Sequence, residues 1–293
     1  MKVLHALREG WRRVLLHARM WFILYLCNLL FALVAVMPFR KWFNKTAGHS
    51  LLTDQSRGAF DLTFIGDLLR NYKGFSTLIS QLSILALAYF VLSAFLTGGV
   101  LYIYINSKEK FLYRDFVTGG LALFWRFLRL AFYFLLIQAV VLGVFVFVIM
   151  FLGVDPMQME SDVTFFRRFK ILFAVYCFLA IVVAMVHDYV KIHIVSRNEN
   201  PFSGSFRAGW RFVLRNFGAV LLLYLLNLGI LIALFIVYKL ITGALPAGTH
   251  SGTMLGFIFS QFFLIGRIGV KLLTLCSACA LVQWFEVFPQ PQP

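Results

Sequence analysis

Six apolar runs, each near the length needed to cross a bilayer, constrain this sequence more than anything else in it. They cover residues 20–37, 78–105, 130–153, 171–186 with a polar extension to 195, 217–241, and 255–285 with two cations inside. A helix rises 1.5 Å per residue, so about 20 apolar residues traverse a hydrocarbon core of about 30 Å. The runs have no period-two alternation, which excludes a barrel, and helices are then the way to satisfy backbone groups in lipid. The expected fold is all-α: a polytopic membrane protein of about six transmembrane helices forming one membrane domain over 1–293. Composition agrees, since 61% of residues are hydrophobic and 13% charged, whereas a soluble domain carries roughly a quarter charged residues.

The net charge of +15 does not point to nucleic acid. The basic residues sit in short clusters at the ends of apolar runs, where anionic lipid headgroups are the expected partners. Cys27, Cys177, Cys276 and Cys279 all fall inside apolar runs, so no loop carries a disulfide or zinc framework. The first 19 residues are too long and amphipathic for the basic end of a signal peptide and are expected to form a retained helix.

Lys and Arg remain preferentially on the cytoplasmic side of membrane proteins. Placing the N-terminus inside gathers Lys2, Arg8, Arg12, Arg13 and Arg19 there. It also gathers Lys108, Lys110, Arg114, Arg126 and Arg129, then Lys191, Arg197, Arg207, Arg211 and Arg215. The outer loops hold fewer, mostly in the segment 39–77, and long loops obey the rule less strictly. Both termini are therefore expected in the cytoplasm.

An internal repeat organises the runs. Arg8-Glu9-Gly10-Trp11-Arg12 leads into the first span as Arg207-Ala208-Gly209-Trp210-Arg211 leads into the fifth, at a constant offset of 199. The match continues without a gap through Val14/Val213, Leu15/Leu214, Tyr25/Tyr224, Leu26/Leu225 and Asn28/Asn227. A weaker middle copy has Phe116, Gly119 and Trp125-Arg126, with Gln138 near the position of the two asparagines. The expected layout is three parallel two-span repeats, 1–105, 106–196 and 197–288, around an axis along the membrane normal. Each opens on a basic amphipathic helix, over 4–19, 111–129 and 202–215. These helices suit the interface, with Trp11, Trp125 and Trp210 at headgroup depth and Arg8, Arg12, Arg13, Arg126, Arg129, Arg207, Arg211 and Arg215 reaching anionic lipid. A further amphipathic helix is expected in the outer loop, 39–77.

Four polar positions inside or at the edge of spans are candidate site residues. Arg267 and Lys271 are four apart on one helix face, near Ser260 and Thr274, and each costs about 2.5–3.5 kcal/mol at mid-bilayer unless a counter-charge, water or lipid phosphate compensates it. The last run is about 46 Å long as a helix, so a span over 268–288 instead puts Arg267 at the outer interface with Lys271 snorkelling to it. His187 and Asp188 close the fourth span and, with His193, read either as a proton relay or weak metal site or as a plain interfacial ion pair of Asp188 with Lys191 at i+3. Asn28, Gln138 and Asn227 read as interhelical packing groups worth about 0.6 kcal/mol each. Cys276-Ser-Ala-Cys279 reads as small packing residues. No spacing of a nucleophile triad or metal centre is present, and no cofactor is expected.

Taken together, Asn28-Leu-Leu-Phe-Ala-Leu, Gly48-His-Ser with Phe60-Asp61, His187-Asp-Tyr-Val-Lys-Ile and Phe206-Arg-Ala-Gly-Trp-Arg-Phe-Val-Leu-Arg resemble a group of bacterial six-helix integral membrane proteins, similar in layout to the membrane domain found beside glycerophosphodiester phosphodiesterases. The resemblance implies the bacterial inner membrane and transfers no active site, and no phosphodiesterase domain is present. The first functional expectation is a non-enzymatic scaffold, assembly or accessory subunit that meets other membrane proteins through Phe-rich surfaces and anionic lipid through its basic helices; the chain holds 34 Phe, more than six helices bury among themselves. The alternative is a transporter or lipid-handling protein with a polar site near Arg267, Lys271 and Asp188.

Overall fold

The computed structural model describes residues 2–47, 75–106, 111–151, 162–197, 202–246 and 249–287. Among them are eight helices and no strand: α1 Lys2–Leu16, α2 Ala18–Ala47, α3 Phe75–Asn106, α4 Tyr113–Phe151, α5 Asp162–Arg197, α6 Phe202–Arg215, α7 Phe217–Gly243 and α8 His250–Val287. Six of these, α2, α3, α4, α5, α7 and α8, are long and apolar enough to span a membrane. The chain is an all-α, multi-pass membrane protein.

Most of the helices outrun their apolar runs, because helix formation needs only backbone bonds and not hydrophobicity. α2 continues past Pro38 to Ala47, so the segment 39–77 opens as helix; the remainder of the expected outer amphipathic helix lies outside the described residues.

Where the basic segments join the spans, local propensity decides whether the helix breaks. Between α1 and α2 the break falls at His17, and between α6 and α7 at Asn216, whose φ of −115° and ψ of 29° leave the helical region. These positions are 199 apart, the repeat offset, and both carry poor helix formers. The middle copy, aligned by Gly119 on Gly209, has Trp125-Arg126-Phe127 there and no break occurs. The expected separate helix over 111–129 is instead the first half of the continuous 39-residue α4. Nor does α1 lie flat beneath the bundle. His5 meets Trp284, Gly10 meets Ser277, Trp21 meets Gly269 and Tyr25 bonds Gln261, so α1 and α2 together track α8 antiparallel.

α3, α5 and α8 each pack against the other two and form the centre; α2 packs on α3 and α8, α4 on α3 and α5, and α7 on α8. Close approach occurs at several glycines, including one in each basic segment. A Cβ on Gly10 meets the backbone of Ser277 in α8 at 2.9 Å, and one on Gly209 meets Val190 Cα in α5 at 2.8 Å. One on Gly119 runs into Tyr102 of α3. Each of the three basic segments thus touches a central helix through backbone, a contact no larger residue allows.

The core is confined to one half of the molecule. Its buried residues are Val3 to Leu24, Ala94 to Phe134, Met185 to Val195, Val213 to Leu223 and Leu272 to Val282, with Leu78 alone apart from these groups. There the C-terminal parts of α3, α5 and α8 are enclosed on all sides, as helices apolar all round require. The other half is loosely packed, with most large side chains of α2, α7 and the start of α8 exposed as lipid-facing residues are.

Candidate functional site

At the boundary between these halves, two chambers, mostly apolar in their walls but each holding charged side chains, flank the contact of α3 with α8. The smaller, about 170 Å³, is walled by α2, α3 and α8 and includes Asn28, Tyr89, Arg267 and Lys271. The larger, about 480 Å³, is walled by α3, α4, α5 and α8 and includes Gln138, His187, Asp188, Lys191 and Lys271. That volume falls in the range of ligand sites, about 300–1,000 Å³. Ser93 and Thr97 of α3 and Lys271 and Leu275 of α8 line both.

The backbone explains how distant residues reach one place. Arg267 and Lys271 are one turn apart in the middle of α8, and Gly266 lets the helix close on Leu234 of α7. Leu234 lies nine residues before the end of α7, about 14 Å along its axis. Both cations are exposed side chains of α8; Arg267 lines the smaller chamber and Lys271 lines both. Asp188 and Lys191 share a face of α5, with Lys191 Nζ donating to Asp188 Oδ1 at 3.1 Å. The sequence reading of this pair as an ion pair is correct, but it is not confined to a helix edge. Tyr224 of α7 donates its hydroxyl to Asp188 Oδ2 at 2.8 Å. Sequence reasoning missed Tyr224 as a site residue, although its recurrence as Tyr25/Tyr224 marked it; Tyr25 makes the corresponding bond to Gln261 Oε1 at 3.0 Å.

His187 stacks on Phe134 of α4 at 4.5 Å between ring centroids, and its buried Nε2 has no hydrogen-bond partner among the described residues. Tyr89 donates to Asn28 Oδ1 at 2.7 Å and joins α3 to α2. Gln138 reaches Tyr176 at 3.4 Å. Asn227 differs: its amide donates to Leu223 O within its own helix, and its buried Oδ1 is unpartnered among the described residues. Two of the three amides link helices, and the third does not.

The electrostatics are lopsided. Lys191, Lys271 and Arg267 bring three positive charges to the chambers, against the single carboxylate of Asp188. Lys271 lies within electrostatic range of Lys191, Asp188 and Arg267. Neither Arg267 nor Lys271 has a hydrogen bond or ion pair among the described residues, where Asp188 is committed to Lys191 and Tyr224. Arg267 and Lys271 are both exposed and not sealed in the core, and an anion is the chemistry that two unpaired cations one turn apart accommodate.

The basic helices divide. Arg8, Arg12, Arg129, Arg207, Arg211 and Arg215 are exposed, as are Trp11, Trp125 and Trp210. Arg126 is half-buried. Arg13 turns inward, donating to Glu9 at 3.0 Å, to Gln283 at 3.0 Å and to Tyr104 O at 3.5 Å, so it ties α1 to α8 and α3 rather than facing lipid. Burial works to raise the Glu9 carboxyl, but the hydrogen bonds and charges of Arg13 and Arg12 outweigh it and leave it below the ordinary carboxylate value. Burial, then the charge of Arg13, lowers His17 below the usual imidazole value. Cys276 and Cys279 are buried and unpaired. Among the described residues no group of His, Cys, Asp and Glu has the arrangement of a metal site.

No protein-family model, curated protein or solved structure matches the chain, so the reading of the site rests on its own residues.

Proposed function

We propose that this protein belongs to the transporter or lipid-handling class and binds an anionic group within the membrane, at Arg267 and Lys271 beside the Asp188–Lys191 pair. One observation carries this reading: Arg267 in the smaller chamber and Lys271 in both have no ion-pair partner among the described residues. Both side chains are exposed, so their charged ends are open to a ligand, and within a bilayer a cation without a partner costs about 2.5–3.5 kcal/mol. The scaffold expectation has the exposed apolar faces of α2, α4 and α7 in its favour, but acyl chains cover such faces equally well.

The finer parts of the layout belong to the same proposal. Three two-span units are supported by Gly10, Gly119 and Gly209, which are repeat-related in sequence and each press on one of the three central helices. The bacterial inner membrane, with both termini inside, is supported by the distribution of Lys and Arg.

The reading is tested by thermal unfolding of the purified full-length chain in non-ionic detergent, titrated with sulfate, phosphate or anionic phospholipid. A ligand that binds only the folded state stabilises it by about 2.7 kcal/mol at a hundredfold excess over Kd. Arg267→Gln and Lys271→Gln are expected to abolish that stabilisation, and Lys239→Gln, on the exposed face of α7, to leave it intact. Equal stabilisation in all three variants refutes the site.

A further inference from the structure

The charge count at the chambers and the shape of the molecule outward of them identify the ligand more closely; this deepens the proposed function and rests on it. Both carboxylate oxygens of Asp188 are taken, one by Lys191 and one by Tyr224, so that ion pair is internally neutral. What remains is Arg267 and Lys271, one helical turn apart, and two negative charges are needed to balance them. A phosphodiester carries one. A phosphomonoester carries about 1.5 to 2 at pH 7, with three oxygens to accept hydrogen bonds from a guanidinium and an ammonium group together.

The second observation lies on the other side of the site. In α3 the six consecutive residues Ile79, Ser80, Gln81, Leu82, Ser83 and Ile84 are all exposed, more than one full turn, so no face of the helix is covered there. In α8, Met254, Leu255, Phe257 and Ile258 are exposed, and in α5, Phe173, Val175, Phe178 and Leu179. The three central helices, packed against each other beyond the site, therefore separate on this side, and the gap between them is walled mainly by hydrocarbon side chains. A free dianion arriving through that gap leaves its hydration behind without compensation. An amphiphile fits both regions, with its phosphate at the cations and its chains against the apolar walls.

We infer that the chambers take the headgroup of a lipid phosphomonoester, the phosphate lying between Arg267 and Lys271 and the acyl chains running outward between α3, α5 and α8. Ser93, Thr97 and Thr274, which line the chambers beside Lys271, supply hydroxyls to the remaining phosphate oxygens or to a bridging water.

The test is native mass spectrometry of the full-length protein in detergent, titrated at pH 7.5 with dioleoyl phosphatidate, dioleoyl phosphatidylglycerol or inorganic phosphate. Phosphatidate is expected to bind at least about tenfold more tightly than phosphatidylglycerol, the effect of roughly one additional paired charge. Inorganic phosphate is expected not to displace it. Arg267→Gln and Lys271→Gln should each bring phosphatidate to the level of phosphatidylglycerol, while Lys239→Gln retains the preference. If a Gln variant fails to fold, the lipid comparison on the unaltered chain still decides. Equal affinity for the two lipids overturns the phosphomonoester assignment while leaving an anion site in place, provided that binding still depends on Arg267. Free phosphate binding as tightly as phosphatidate overturns the lipid assignment. Anion binding that is indifferent to both substitutions overturns this inference and the proposed function together.

Discussion

Asp188 is the residue on which the electrostatics of the bundle turn. It neutralises Lys191 and fixes the hydroxyl of Tyr224, so it joins α5 to α7 while leaving Lys271 and Arg267 uncompensated. Its two bonds differ in consequence. Tyr224→Phe removes one hydrogen bond, and interhelical hydrogen bonds in membrane proteins contribute about 0.6 kcal/mol on average and about 1.7 at most. Asp188→Asn strands Lys191 in a buried position, a change of about 3–5 kcal/mol. Unfolding in mixed micelles is therefore expected to show Asp188→Asn well below Tyr224→Phe in stability. Added anion should recover part of the Asp188→Asn deficit, because the substitution leaves a third unbalanced cation at the site. Equal stabilities for the two variants would remove the argument that Asp188 is the principal counter-ion.

At the scale of the element, repetition in sequence becomes repetition in contact. The basic segments differ in form, two being separate helices and one the first half of α4, yet each brings a glycine onto a central helix. What these segments share is a crossing point and not a secondary-structure boundary. Gly209→Val forces a methyl-bearing carbon into the backbone of Val190, and overpacking of this kind costs about 1–3 kcal/mol. Gly218→Ala, where a Cβ meets nothing within 4 Å, is expected to be neutral or slightly stabilising through helix propensity. Thermal unfolding of the two variants in the same detergent separates these expectations, and a Gly209→Val protein as stable as Gly218→Ala would show that α6 is free to shift on α5. Arg13 teaches the same lesson in a side chain. It belongs by pattern to the lipid-facing arginines, but its place on α1 turns it toward Gln283 and Tyr104.

For the whole molecule, the arrangement places the ends of α1, α3, α5 and α8 that carry the core on one side and the α7–α8 turn on the other. In a background lacking Cys27, Cys177, Cys276 and Cys279, Lys2→Cys and Arg197→Cys are expected to react with an impermeant maleimide only from the cytoplasmic face. Thr242→Cys should react only from the opposite face. Labelling of Arg197→Cys and Thr242→Cys from the same side would contradict the topology. The same asymmetry explains why the charged chambers sit where they do. Inward of them the central helices are largely enclosed by neighbours, and the Arg13 charge there is paired with Glu9; outward of them large side chains of the same helices are exposed.

The membrane class and the six spans were legible in the sequence, because length and hydropathy are local properties of the chain. So were Arg267, Lys271, His187 and Asp188 as anomalies, since a charge in an apolar run stands out whatever surrounds it. What only the tertiary structure decided was which charges are compensated. Lys191 and Tyr224 both settle on Asp188, Arg13 leaves the lipid face, and Lys271 meets two chambers at once. Compensation depends on distances between helices far apart in the chain, and those follow from how three glycine contacts and a one-sided core set the helices against one another.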